Sequence, residues 1–404
     1  MKHNKTYEAI VMHAVSRWDQ PLSSASFSLA KEFSKEIPTF YVDHPFTLKD
    51  VLLKGYQKNI RRRLLPLFFG INYQYGIDAQ YPELKAVTPF VVFPINWLPK
   101  GRMFNFLSRL NNKIYQITLK KLLRKNHISS YIYFNSYNPF FGFDLKKSIK
   151  PDYYVYQSRD NIANSNYVKK HGPELERYVA EQADIRIATS TDLTNILSRP
   201  KHPFICFPNG ADTSLFKKAL KAPKKRPSGI ATDKKIIGYI GNIGLRVDYD
   251  LLVQVANRFK DCQLLMVGPY SFTKYTEHDL HAVDNITFIG PKNISELPSY
   301  LHYMDCALMP FKCNALTKSI YPLKINEYLA GGKAVVTTNF SPDLDRFEQV
   351  VYKADDHATF LNYIEEAMRD DNQPRKEARI QASVDNSWEN RIQLFWKLIE
   401  EPTN

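Results

Sequence analysis

Strand-like apolar runs alternate with helical runs along nearly the whole chain, and that alternation limits the fold more than any other feature. Residues 9–13, 25–35 and 39–42 read as strand, helix and strand, a βαβ opening. Strand-like runs follow at 131–134, 153–156 and 185–188, with a helix over 173–182 and an N-cap pattern at Thr189-Ser190-Thr191-Asp192. Strands joined by helices must run parallel, so a mostly parallel sheet is predicted. A Lys/Pro/Gly-rich stretch over 217–235 interrupts this, and the pattern then restarts. Strands are predicted at 235–240, 263–267, 286–289, 306–309, 334–337 and 349–352, with helices at 249–259, 297–303, 324–330 and 388–400. The prediction is therefore an α/β chain of two parallel-sheet domains, residues 1–216 and 235–385, with a linker at 217–234 and a final segment 386–404. A length of 404 residues suits two such domains.

With 44% hydrophobic and 24% charged residues, the chain has the makings of a globular core. Its four cysteines, Cys206, Cys262, Cys306 and Cys313, form no C-x-x-C pair, which argues against a disulfide scaffold or zinc ribbon and for a reducing compartment. Residues 1–8 carry no apolar signal core, so no export signal is expected. The apolar stretches 64–71 and 88–98 fall short of the roughly 20 residues that span a bilayer.

Charge is uneven. The chain carries +14 overall, and residues 50–130 hold fourteen Lys/Arg against Asp50, Asp78 and Glu83. Such a field draws polyanions: nucleic acid, anionic lipid or anionic sugars. No RNP, KH, zinc-finger or helix-turn-helix signature accompanies it, so nucleic acid ranks last. Residues 49–71 set a basic cluster beside an apolar one. That segment suits a membrane interface, with Arg61, Arg62 and Arg63 at headgroups and Leu64, Leu65, Phe68 and Phe69 inserted; 120–125 is a second contact. A core helix with a solvated basic edge is the alternative.

Ligands of parallel sheets sit at the carboxyl ends of strands. Two loops of the second domain stand out. In Gly241-Asn242-Ile243-Gly244-Leu245-Arg246 small residues let backbone N–H groups and a helix N-terminus approach a phosphate, or simply make a tight turn. After Pro322, Lys324 and Glu327 lie three apart on one helical face; Lys meets a diphosphate and Glu a vicinal diol, or the two form an ordinary ion pair. In the first domain, His13 at a strand end near Trp18 and Asp19 is the best-placed base, or else a core histidine. Asp160 orients substrate hydroxyls or caps a helix.

Taken in order, Pro208-Asn-Gly-Ala-Asp212 with Phe216, the Gly241 loop, Val267-Gly-Pro269, Phe288-Ile-Gly290, Met304 to Phe311 and Lys324-x-x-Glu327-Tyr-x-Ala-x-Gly-Lys333 resemble the nucleotide-sugar domain of GT-B glycosyltransferases. They are most similar to family 4 and its polysaccharide and teichuronic-acid-type relatives. Trp18-Asp19, Tyr41-Val-Asp43 with Pro45, Tyr156-x-x-x-Asp160 and Glu176 to Asp184 with Thr189-Ser190 are similar to the acceptor domain of those relatives. The resemblance is strong over 174–340 and poor over 50–130.

It implies two Rossmann-like domains facing a cleft, with the C-terminal helix crossing back to the first. It implies a uridine- or guanosine-diphosphate sugar in the second domain, with Glu327 on the ribose. Lys324, Lys318 and the loop of Gly241, Asn242, Gly244 and Arg246 would hold the diphosphate. Two departures stand out: Ser319 occupies the place of a usual Glu eight positions before Glu327, and Asn242 the place of a usual Arg. His13, Asp160, Arg246 and Lys324 are the expected catalytic set, and fixed cations make a metal or other cofactor unnecessary. The expected enzyme is a cytoplasmic glycosyltransferase, peripheral at the membrane, that retains anomeric configuration. It would move sugar to a glycan or polyprenyl-diphosphate-linked acceptor in surface polysaccharide synthesis. The rivals are a GT-B sugar-nucleotide epimerase and a non-catalytic sugar-nucleotide-binding scaffold.

Overall fold

The computed structural model describes residues 7–19, 24–164, 168–369 and 371–401. Residues 1–6, and Gln20 and Pro21 beside Trp18, lie outside the described residues. The chain divides into two compact units, residues 1–207 with 395–404, and residues 208–394.

The first unit is built on eight strands: β1 (Ala9–Ala14), β2 (Thr39–Val42), β3 (Gln74–Gly76), β4 (Leu84–Val87), β5 (Tyr131–Ser136), β6 (Tyr153–Ser158), β7 (Ile185–Ala188) and β8 (Ile205–Cys206). They lie in the order β3-β4-β2-β1-β5-β6-β7-β8. Every pairing is parallel except β3 with β4. The central β1 is buried along its whole length, which is why it reads as a continuous apolar run rather than an alternating one. The helix Arg102–Lys125 packs Tyr115, Leu119 and Leu122 into this core. Residues 43–100 hold three short helices, Leu48–Lys54, Lys58–Arg61 and Leu64–Phe69. The first is fixed by a capping box between Thr47 and Asp50.

The second unit carries six parallel strands: β9 (Ile236–Ile240), β10 (Gln263–Val267), β11 (Ile286–Gly290), β12 (Cys306–Met309), β13 (Ala334–Thr338) and β14 (Tyr352–Ala354). Their order is β11-β10-β9-β12-β13-β14. The division at 207/208 falls ahead of the boundary expected at 216. The helix Thr213–Phe216 and the turn Lys217–Leu220 put Phe216 and Ala219 into the second core, and His302 Nδ1 meets the Ala219 carbonyl at 2.8 Å. The basic, proline-bearing composition beyond Phe216 hid that apolar pair. The helix Trp388–Glu400 crosses back into the first unit. There Phe395 packs on Phe33 with ring centroids 4.8 Å apart, and Trp396 Nε1 donates to Glu36 Oε2 at 2.7 Å.

Candidate functional site

At the carboxyl edge of the second sheet, β9 runs into the Gly241 loop. Gly241 N–H donates to the Val267 carbonyl and Ile243 N–H to the Pro269 carbonyl, both at 2.9 Å. These two amides therefore extend the ladder toward the exit of β10 and do not face a ligand, which corrects the phosphate-cradle expectation for them. Glycine is required because a Cβ at Gly241 would stand 2.5 Å from Tyr239 Oη. Its neighbour Gly268, at φ +142°, brings its α-carbon against the Gly241 carbonyl. Tyr239 Oη donates to the Asn242 carbonyl and Tyr249 Oη to the Gly244 carbonyl, at 3.2 and 2.8 Å. Gly244 is buried, whereas Asn242 and Arg246 are exposed.

The helix after this loop, Tyr249–Arg258, is capped by Asp248, whose Oδ1 accepts from Leu251 N–H at 3.1 Å. Asp248 Oδ2 also meets His357 Nε2 at 3.0 Å. A carboxylate thus already occupies the helix N-terminus that the sequence offered to a phosphate. Arg246 remains in place through its own carbonyl, which accepts from Lys312 N–H at 2.9 Å and ties the loop to the segment after β12.

The helix Leu323–Ala330 follows Pro322 at its N-cap and buries residues 325–330. Tyr328 Oη accepts from Ile240 N–H at 2.8 Å and donates to the Ile240 carbonyl at 3.1 Å, so this helix is pinned to the end of β9 beside the Gly241 loop. One residue earlier, Glu327 is 7% exposed, and its Oε2 lies 2.6 Å from Lys324 Nζ. The fold brings together Gly241, Asn242, Gly244 and Arg246 as one loop, and Lys324 with Glu327 as one pair. Lys318 is exposed at the end of the helix Ala315–Lys318, while the next residue, Ser319, is buried. The tyrosine braces were missed in the sequence; their only signal was a tyrosine directly after Glu327.

At the carboxyl edge of the first sheet, His13 is fully buried. Asn138 Nδ2 donates to His13 Nε2 and to His44 Nδ1, at 3.0 and 2.9 Å. His13 Nδ1 therefore carries the proton and faces Tyr133 Oη at 3.3 Å. Burial, then the neighbouring His44, pulls His13 well below its ordinary pKa. It is a neutral core histidine, which corrects its expected role as base. His44, held down to about 3 by burial and Arg17, is the partly exposed histidine of this edge.

Arg63 also departs from expectation. It is 1% exposed, grips both carboxylate oxygens of Asp19 at 2.8 and 3.1 Å, and reaches Asp43 Oδ2 at 3.1 Å. It cannot stand at a headgroup, because its donors are spent inside the fold. Arg62 is paired with Asp19 as well. Arg61, Phe68 and Phe69 remain exposed, with Leu64 and Leu65 beside them. Lys121 Nζ donates to the Gly70 carbonyl at 2.8 Å and joins this patch to the helix Arg102–Lys125. Among the described residues no helix is long and apolar enough to cross a membrane. Asp160 is exposed just past β6, and Glu176 behind it is buried, its carboxyl pushed up to about 7 by burial against hydrogen bonds from Ser158 and Tyr156. The two line one cavity of about 310 Å³ with Leu193, Ile196 and Phe204.

Residues 221–383 match the family model described as glycosyl transferases group 1. The chain is 27% identical over 195 residues to the teichuronic acid biosynthesis glycosyltransferase TuaH of Bacillus subtilis (strain 168), covering 45% of this chain and 48% of that one. It is 27% identical over 150 residues to the colanic acid biosynthesis glycosyl transferase WcaI of Escherichia coli (strain K12), covering 35% and 36%. The matched segments thus span about half the length of one relative and about a third of the other. Among solved structures, sucrose-phosphate synthase of Thermosynechococcus elongatus superposes with a TM-score of 0.67 at 13% identity, over 97% of this chain and 98% of that one. Anabaena HepE, solved in complex with UDP and glucose, superposes at 0.63 and 12% identity, over 98% and 100%. These likenesses establish the fold as the two-domain GT-B class.

Proposed function

We propose that this chain is a glycosyltransferase that moves a sugar, with retention, from a UDP- or GDP-sugar to a glycan or lipid-linked glycan in surface polysaccharide synthesis. The observation that carries the reading is the Lys324–Glu327 pair held beside the Arg246 loop by Tyr328. Glu327 presents two acceptor oxygens to a ribose diol, and donor arrival draws Lys324 from Glu327 onto the diphosphate. Departure of the diphosphate builds negative charge as the sugar becomes oxocarbenium-like. Arg246 and Lys324, once on the diphosphate, stabilise that charge, and the step invokes no metal. The exposed Phe68 and Phe69 beside Arg61 support peripheral attachment to an anionic membrane on its cytoplasmic side.

The test is calorimetric titration of UDP- and GDP-sugars into the wild type and Glu327→Ala. One donor binds, and the substitution weakens it by about 1–3 kcal/mol. A panel with no binder, or a variant that binds equally well, defeats the assignment. Proton NMR of the product's anomeric position then decides retention. A second reading, donor binding without turnover, is favoured by buried Ser319 at the place of the usual Glu. It predicts donor binding with no nucleotide released on any acceptor.

A further inference from the structure

At the carboxyl ends of β5 and β6, beside the helix Ala25–Phe33, hydroxyl groups and one guanidinium converge. Ser136 Oγ donates to Gln157 Oε1 at 2.8 Å, so Ser26 Oγ, 2.8 Å from Ser136 Oγ, donates to Ser136. Arg159, the first residue past β6, donates from Nη1 to the same Ser26 Oγ. Tyr41 and Tyr137 stand close enough for the Arg159 charge to bear on both phenols.

Arg159 is partly exposed, with the carboxylate of the adjacent Asp160 acting on it but not paired with it. Among the described residues no carboxylate reaches it within ion-pair distance, and its Nε is sealed from solvent with no acceptor. Burial pulls the guanidinium below its ordinary value; Asp160 is the first group acting against that. Its position adds to the cost. It leans on Ser26 in the first turn of a nine-residue helix, the end where unpaired N–H groups carry partial positive charge, and that turn contains no Asp or Glu. Arg63 across the same sheet edge shows the ordinary solution, two carboxylates for one guanidinium. Ser24 caps the Phe27 amide, so at Arg159 the same solution would come from an anion seated between the guanidinium and the amides of Ala25 and Ser26.

We propose that Arg159 and the first turn of the helix Ala25–Phe33 form a binding site for a phosphate group of the acceptor. The word acceptor rests on the glycosyltransferase reading; the anion site stands on the geometry alone. Serine hydroxyls and a planar guanidinium suit the oxygens of a phosphate, whether it is borne by a lipid or by a soluble sugar.

Inorganic phosphate titrated into the full chain, by calorimetry and by thermal unfolding, tests the site. The wild type binds phosphate and its melting temperature rises with it. Arg159→Gln loses at least about tenfold in affinity and the upward shift, Arg159→Lys keeps part of both, and Lys201→Gln, an exposed lysine of the same unit, keeps all. Without phosphate, Arg159→Gln melts no lower than the wild type, since it removes an unpaired charge. A wild type that ignores phosphate, or an Arg159→Gln variant that binds it as well, overturns the site. Cosedimentation with phosphatidylcholine vesicles containing phosphatidic acid identifies the source. Arg159-dependent binding to them assigns a lipid-borne phosphate, and its absence alongside phosphate binding in solution assigns a soluble one. Donor titration of the wild type separates the two proposals: phosphate binding that depends on Arg159, in a chain that binds no nucleotide sugar, keeps the site and removes the transferase.

Discussion

Arg63 in the first unit and Lys324 in the second are both basic side chains at the carboxyl edge of a parallel sheet, and both bind carboxylates. Arg63 is walled in, with Asp19 and Asp43 taking its donors. Lys324 holds a single oxygen of Glu327, and its side chain is 30% exposed. The difference lies in what remains to be done. A buried, saturated pair is finished and holds the fold; a half-open pair with one contact can be exchanged for a ligand.

Breaking the finished pair has the largest effect. Arg63→Met leaves Asp43 buried without its ion-pair partner, and urea denaturation at neutral pH shows a loss of about 3–5 kcal/mol. Asp43 is already pushed up to about 6, by burial first, with Arg63 opposing. Acidic solution discharges it, so the loss narrows there.

A buried carboxyl with no cation sharpens the contrast. Glu176 is held at about 7 in the folded chain against 4.5 for a free carboxyl. The folded state binds this proton more tightly, so the stability it contributes below about pH 4.5 is lost as pH rises through about 7. Glu176→Gln keeps an acceptor for Tyr156 and Ser158 without the charge. It stabilises by about 2–3 kcal/mol above pH 7 and changes little at about pH 4, read from denaturant midpoints across pH. The smallest effect belongs to the open pair: Lys324→Ala costs no more than about 1 kcal/mol of stability, while donor affinity falls. A stability loss as large as that of Arg63→Met erases the distinction.

What the sequence made legible follows the same line. Strands at 39–42 and 185–188 and the helix at 388–400 were readable because each is an apolar run with clear ends. Lys324 and Glu327 were readable because three-residue spacing alone puts them on one face. Strand β3 and the short helices of 48–69 were not, since they are too brief for periodicity and rest on distant contacts such as Lys121 to Gly70. The burial of Arg63 was equally hidden, because Asp19 lies 44 residues away and Asp43 lies 20. His13 looked available for the same reason: the Asn138 that engages it is 125 residues distant.

The helix Trp388–Glu400 begins in one unit and ends in the other, and this bears on how the protein is made. When residue 207 leaves the ribosome, the first unit lacks Phe395 and Trp396, which cover Phe33 and Phe134. It must wait, partly uncovered, for the whole second unit to be synthesised. An expression fragment ending at 207 inherits that exposed aromatic surface. One in which residues 395–404 are rejoined by a short tether has what the first unit needs to close.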